Sequence, residues 1–309
     1  MTTATAVETP TDEIEITPPS RKVRAGTGAR SGEAGWTARI ALLVLCLLWL
    51  IPTIGLLVSS FREETLIKTT GWWTVFSSPL DFSQWTFENY GDVLFDSGMG
   101  DAFVNSLIIS IPATVIPVLF AAFAAYAFAW MEFPARNILF VVVIGLLVIP
   151  LQVAFIPLLE LYGDIGLSGE FAGVWLAHAA FGMPLAVYIL RNYMGTLPRE
   201  VIESARVDGA GHFAIFWRLV FPLSIPALAA YTIFQFLWVW NDLLVALIFL
   251  GPGDMAPTTV ALSSLIGSRG QDWQLLTAGA FITMLLPMIV FFGLQRFFVR
   301  GLTAGSVKG

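Results

Sequence analysis

Asp242 is the only carboxylate that the sequence places inside a long apolar run, and Asn241 stands beside it. A charge near the centre of a bilayer costs roughly 2.5–3.5 kcal/mol on insertion scales, so such a group must face protein or water. Two readings follow: a group on a solute or proton pathway, or a pair that hydrogen-bonds a neighbouring helix. Gln235, about two turns earlier, falls on a similar face, and Gln152 and His178 can reach the same cavity. Trp238, Trp240, Phe234 and Phe236 add aromatic faces, which beside hydrogen-bonding groups suit a sugar ring as well as they suit plain packing. Bond-making chemistry has less support. His178 and His212 lie far apart without metal-ligand spacing, so no metal site is expected. No nucleophile, base and orienting group can be picked out together. The Gly-rich run Gly26–Ser31 has neither the strand and helix context of a dinucleotide fingerprint nor the Lys-Ser/Thr ending of a phosphate loop. No cofactor is therefore expected on this chain.

The elements that would position these residues are helices in a membrane. The chain is 57% hydrophobic and 12% charged, where an ordinary soluble domain is about a quarter charged. Six runs are long and apolar enough to cross about 30 Å of hydrocarbon: 40–58, 103–130, 138–158, 173–190, 227–250 and 276–294. Period-2 alternation is absent, which favours helices over a barrel. Prolines inside these runs, among them Pro150, Pro157, Pro184 and Pro287, are tolerated where neighbouring helices satisfy the freed carbonyls. Residues 1–35 are polar and poor in large apolar side chains, a composition that reads as a flexible tail. It lacks the apolar core of a cleaved signal, so the first run reads as an anchor. The single cysteine, Cys46, allows no disulfide framework.

Basic residues set the orientation. With the N-terminus inside, all of the 16 Lys and Arg except Arg62, Lys68 and Arg269 fall on the inner side, while the outer loops are acidic. Both termini are then cytoplasmic, and so is the segment of about 195–226 between the fourth and fifth runs. The long outer segment from Ser59 to Ala102 carries Trp72, Trp73 and Trp85, read as interface anchors in the case of the first two.

The inner segment has its own helical pattern. Pro198 suits a first helical position and Glu200 the first turn. Val201, Ile202 and Ala205 share one face. Asp208-Gly209-Ala210-Gly211 then ends the helix, since glycine takes a left-handed cap without steric cost. A second short helix through Ile215, Phe216, Leu219 and Val220 is closed by Pro222 and Pro226. Such a pair either lies on lipid headgroups or docks in a partner's groove.

Glu203-Ser204-Ala205, three residues, Gly209, nine residues, Leu219, one residue, Phe221 and Pro222 resembles the EAA loop of permease subunits of bacterial ABC importers. That pattern is Glu-Ala-Ala, three residues, Gly, nine residues, Ile, one residue, Leu-Pro, so Ser204, Leu219 and Phe221 depart from it while the spacing is kept. Asp208-Gly209-Ala210, Trp240-Asn241-Asp242 and the ending Gly301-Leu302-Thr303-Ala304-Gly305 are similar to the carbohydrate-uptake, maltose-type branch. The resemblance covers about residues 36–309.

It implies an all-α, six-span permease domain that docks its loop in an ATP-hydrolysing subunit and works by alternating access. Glu203 would supply a polar contact there, Gly209 the turn and Ala205 close packing; Arg206 would be an ion-pair partner. Implied partners are two ATP-binding subunits, a related second permease subunit, an extracytoplasmic sugar-binding protein and the lipid of a bacterial or archaeal cell membrane, with no nucleic acid. Other solute classes within the family stay open. So does a proton-driven carrier that uses Asp242, although no inverted repeat of spans supports it.

Overall fold

The computed structural model describes residues 35–265 and 272–303, with side chains placed as far as Gln295. The polar segment 1–34 and the chain after Thr303 lie outside the described residues. Among those described, regular structure is helical apart from one isolated bridge between Arg62 and Trp85.

The long first helix, α1 (Trp36–Ser60), exposes every side chain from Trp36 to Ile51, Cys46 included. Burial along it begins at Gly55. A connecting segment follows, built of α2 (Glu64–Thr69), two 3-10 turns (Trp72–Ser77 and Phe82–Gln84), α3 (Glu88–Gly91) and a π turn over Asp92–Asp96. Gly98 in the left-handed region (φ 72°) opens α4 (Met99–Trp130). At 32 residues this helix is about 48 Å long, more than a hydrocarbon core needs. It continues through Pro112 and Pro117.

The chain then runs through α5 (Arg136–Gly145), a 3-10 turn (Leu146–Val148), α6 (Leu151–Ile165) and α7 (Phe171–Met194). Next come α8 (Arg199–Val207), α9 (His212–Ile215), a π turn (Phe216–Val220), α10 (Phe221–Leu223) and α11 (Ile225–Trp240). The last elements are α12 (Leu244–Phe249), α13 (Thr258–Ser264) and α14 (Trp273–Thr303).

Among the described residues four helices, α1, α4, α7 and α14, are long and apolar enough to cross a membrane, and the number rises to as many as six if each of two bent pairs is one span. The third expected run, 138–158, is therefore not one straight helix. It breaks at Ile149-Pro150, where the axis turns by 99°. The fifth, 227–250, ends early. α11 stops at Trp240, and 241–243 separate it from α12. The overlong second run is one helix, as expected.

α4 and α7 form the most extensive helix pair, and α11 packs against both and against α14. Small residues make this approach possible: Ala113, Ala121, Ala122 and Ala125 on α4 meet Ala177 and Ala186 on α7, all of them fully buried. Where lipid tails are as apolar as leucine, close backbone packing of this kind holds helices together. One continuous cluster then runs from Ala121, Leu190 and Tyr231 in these long helices to Ile202, Ile215, Phe216 and Val220 in the short ones. The short helix pair is thus built into the same core as the spans.

Candidate functional site

The expected helix pair forms, with capping that explains its glycine. Helix α8 begins at Arg199, so Pro198 is the residue before the helix (ψ 127°) rather than its first. At the other end, Ala210 N–H donates to Ala205 O at 2.9 Å, and Gly209 N–H donates to Arg206 O at 3.0 Å. These are the two bonds of a Schellman cap, which places the residue after the cap in the left-handed region. Gly209 sits there with φ 82°. Ala205 and Ala210, the two residues joined by the 2.9 Å bond, both pack against the main core cluster.

Burial divides the pair into two faces. Ile202, Ile215, Phe216 and Val220 are buried. Glu203, Ser204, Asp208 and Pro222 are exposed, as are Val207 at 88% and Phe213 at 75%. The exposed surface thus mixes the carboxylates of Glu203 and Asp208 with large apolar side chains, an arrangement suited to a groove in a protein partner.

The pair is tied to the end of α4 from both of its halves. Arg206 Nη2 donates to Trp130 O at 2.9 Å, a backbone carbonyl at the end of α4. His212 Nδ1 lies 2.9 Å from Tyr126 Oη. Phe216 stacks on Phe123, with ring centroids 4.6 Å apart. Trp130 Nε1 in turn donates to Met194 O at the end of α7. The roles of Tyr126 and His212 were missed from sequence, because neither residue belongs to a motif and they stand 86 positions apart.

The bend between α10 and α11 measures 73°. Ser224 sits in it fully buried. Its N–H lies within bonding distance of both Val220 O and Phe221 O, and its carbonyl accepts from Leu228 N–H. Pro222 and Pro226 on either side have no N–H to leave unsatisfied.

The expected pathway group is brought together in part: Gln235 reaches His178, His178 reaches Asp242, and Gln152 shares a cavity with Gln235, while Asn241 stands apart. Gln235 is fully buried and serves as a junction between helices. Its Nε2 donates to Ala113 O at 3.2 Å and His178 O at 3.4 Å. Tyr231 Oη lies 2.8 Å from Gln235 Oε1 and 2.7 Å from Gly182 O. A hydroxyl has one proton, so the two acceptors share it. Gly182 is required here: a Cβ would come 2.7 Å from Gln235 Nε2. Asn241 is exposed and bonds Leu237 O. Asp242 is not mid-span; it stands at the break, where Oδ2 accepts from Ala246 N–H at 3.1 Å at the start of α12. His178 Nε2 lies 3.7 Å from that same oxygen. The helix stop and the cap are the local reason for a polar pair at this place.

Gln152 and Gln235 do share a cavity of about 400 Å³, formed where the α5–α6 break faces Gly182, Tyr231, Phe234 and Trp238. Irregular backbone at membrane depth is tolerated where it lines such a space.

Asp242→Asn keeps a side-chain oxygen for the cap, and should match wild type in uptake. Asp242→Leu should cost about 1 kcal/mol of stability through loss of the cap, read as a lower melting temperature of the purified assembly. Complete loss of uptake in Asp242→Asn would return the carboxylate to a proton-carrying role.

The profile of the family described as "Binding-protein-dependent transport system inner membrane component" matches residues 117–304. The chain is 60% identical to the osmoprotective compounds uptake permease protein GgtD of Synechocystis sp. over 87% of this chain and 91% of that protein. It is 42% identical to the alpha-glucoside transport system permease protein AglG of Rhizobium meliloti, over 91% of this chain and 99% of the relative. In structure it resembles a chain of a bacterial ABC transporter involved in the import of the acidic polysaccharide alginate. The TM-score is 0.67 at 21% identity, covering 85% of this chain and 95% of that one. With the matched region taking in α7, the capped helix pair and α11, the chain belongs to the family of binding-protein-dependent transport system inner membrane components.

Proposed function

We propose that this chain is the permease subunit of an ATP-driven importer of sugars or oligosaccharides. It crosses the cell membrane six times, with both termini and residues 195–226 in the cytoplasm. The observation that carries the reading is the two-faced helix pair, core-locked through Ile202, Ile215, Phe216 and Val220 and exposed at Glu203, Val207 and Phe213. A segment that merely lay on headgroups would have no need of bonds from both halves to one end of α4. The exposed face docks on an ATP-hydrolysing subunit, Glu203 making the polar contact, while Ala205, Gly209 and Ala210 hold the turn. ATP stays on two such subunits, and this chain performs no bond chemistry on the solute. A related second permease subunit completes the pathway, and an external binding protein delivers the solute.

The substrate class rests on relatives: besides those above, the arabinooligosaccharides transport system permease protein AraQ of Bacillus subtilis is 35% identical over 88% of this chain. The related alginate transporter has been solved in complex with an alginate pentasaccharide-bound periplasmic protein, which supports a binding-protein partner here.

Cells carrying the whole importer should take up a labelled neutral sugar from a panel of α-glucosides and arabinooligosaccharides. Uptake should resist an uncoupler and fall in Glu203→Lys, with the chain still inserted. Uptake that survives Glu203→Lys and collapses with the uncoupler would overturn the reading.

A further inference from the structure

Just past α1 lies a buried charge that solute import leaves unused. Arg62 follows the last residue of α1 by two positions and is 2% exposed. Its Nη1 donates to Gly71 O at 2.8 Å and its Nη2 to Thr70 Oγ1 at 3.0 Å, while Nε is buried with no acceptor. No carboxylate among the described residues pairs with it; the neighbouring Glu64 pairs with Lys68 instead. Burial pulls the guanidinium pKa down from its usual value, yet arginine stays protonated in proteins. The backbone that carries it is also held, because Asn89 Nδ2 donates to the main-chain carbonyls of both Ser60 and Arg62.

Arg62 lines a cavity of about 260 Å³ with Ser59, Thr70, Trp72, Trp73 and Trp273. A second space of about 310 Å³ shares Ser59, Trp72 and Trp273 with it and continues past Pro52, Gly55, Leu56 and Thr277. The first space therefore has a cationic wall, and the second is an apolar groove along the last two turns of α1 and the start of α14. Trp72 lines both and is held against the helix: a Cβ on Gly55 would come 2.9 Å from its indole nitrogen. Tryptophan and arginine are residues of the headgroup layer, and Arg62 lies at the end of a helix long enough to span. Here the arginine is enclosed by protein instead of reaching into water.

We infer that this paired cavity binds a membrane phospholipid, its phosphate on the Arg62 guanidinium and one acyl chain in the groove beside Gly55, Leu56 and Thr277. The phosphate would accept the free Nε–H and complete a charge-assisted contact. Continuity with the apolar groove favours a lipid over inorganic phosphate or an acidic sugar, either of which would leave the second space unfilled.

Native mass spectrometry of the whole importer, released from detergent with added phosphatidylglycerol, tests this. One lipid per copy of this chain should survive the activation that strips bulk lipid. Arg62→Gln should lower its occupancy roughly tenfold, the scale of one lost hydrogen bond to a charged group. Ser59→Phe, which fills the junction of the two spaces and keeps the arginine, should do the same. Unchanged retention in Ser59→Phe would overturn the inference even if Arg62→Gln fails to assemble. So would an adduct with inorganic phosphate alone that blocks the lipid no better in wild type than in Arg62→Gln.

Discussion

Replacing Gly209 by valine is expected to cut ATP-driven uptake about tenfold or more while the chain stays in the membrane. Gly209 holds φ at 82°, a conformation that costs an L-residue roughly 1–2 kcal/mol and is a genuine outlier for a β-branched one. Relieving that strain means giving up the bonds from Gly209 and Ala210 back to Arg206 and Ala205, which re-aims Glu203 and Val207 relative to the core. Strain of about 1.4 kcal/mol corresponds to a factor of ten in an equilibrium, and the docking surface depends on that angle. Gly209→Asn is the control, because asparagine tolerates the left-handed region; it should retain most uptake. Measured sugar uptake and sugar-stimulated ATPase activity should fall together in the valine variant. Wild-type values for both would show that the capped turn plays no part in coupling.

The second large effect is expected at Gly182. A Cβ there would lie 2.7 Å from Gln235 Nε2 and 2.8 Å from Cδ. The amide has no free direction in which to yield, since it bridges Ala113 O, His178 O and the Tyr231 hydroxyl. Gly182→Leu must expel it and strand several polar groups among α4, α7 and α11, at about 1–3 kcal/mol for each buried group left unpaired. The melting temperature of the purified assembly should drop sharply, and insertion should suffer. Gly182→Ala and Gln235→Ala should each destabilise, yet the double variant should be more stable than their sum, because the second change removes the atoms with which the first collides. Strict additivity would mean that the two helices do not touch here.

These two glycines mark what could and could not be read from the chain. Gly209 was legible because its role is local: a helical pattern stopped at Asp208-Gly209, and the cap chemistry lies within six residues. The long helices were legible for a similar reason, since hydropathy averaged over many residues survives errors at any one of them. That averaging is also why the fifth run was carried past its true end. Val245, Ala246 and Phe249 are as apolar as the residues of α11, and the stop is written only in Asn241-Asp242. Of the prolines expected to be tolerated, Pro157 and Pro184 do lie within continuous helices, as do Pro112 and Pro117, whereas the chain turns at Pro150, and only the tertiary partners of the freed carbonyls decide between the two outcomes. Gln235 was read as lining a pathway because polar groups in spans often do. Its partners come from helices 57 and 122 positions away, and no periodicity reports them. Arg62 was legible only as a charge on the outer side, because its enclosure depends on how the loop through Thr70, Gly71, Trp72 and Trp73 folds back and on Trp273 near the other end of the sequence.

The bend at Ser224 has a mechanical consequence. An elbow made by breaking a hydrogen-bond ladder is soft, because water or rotation can replace what is missing. In this one Ser224 keeps both of its own backbone groups bonded, and the neighbouring prolines are fixed near φ −65° by their rings. On the proposed docking role, torque applied at Glu203 or Phe213 would reach α11 through this 73° joint, with residues 199–240 working as a crank.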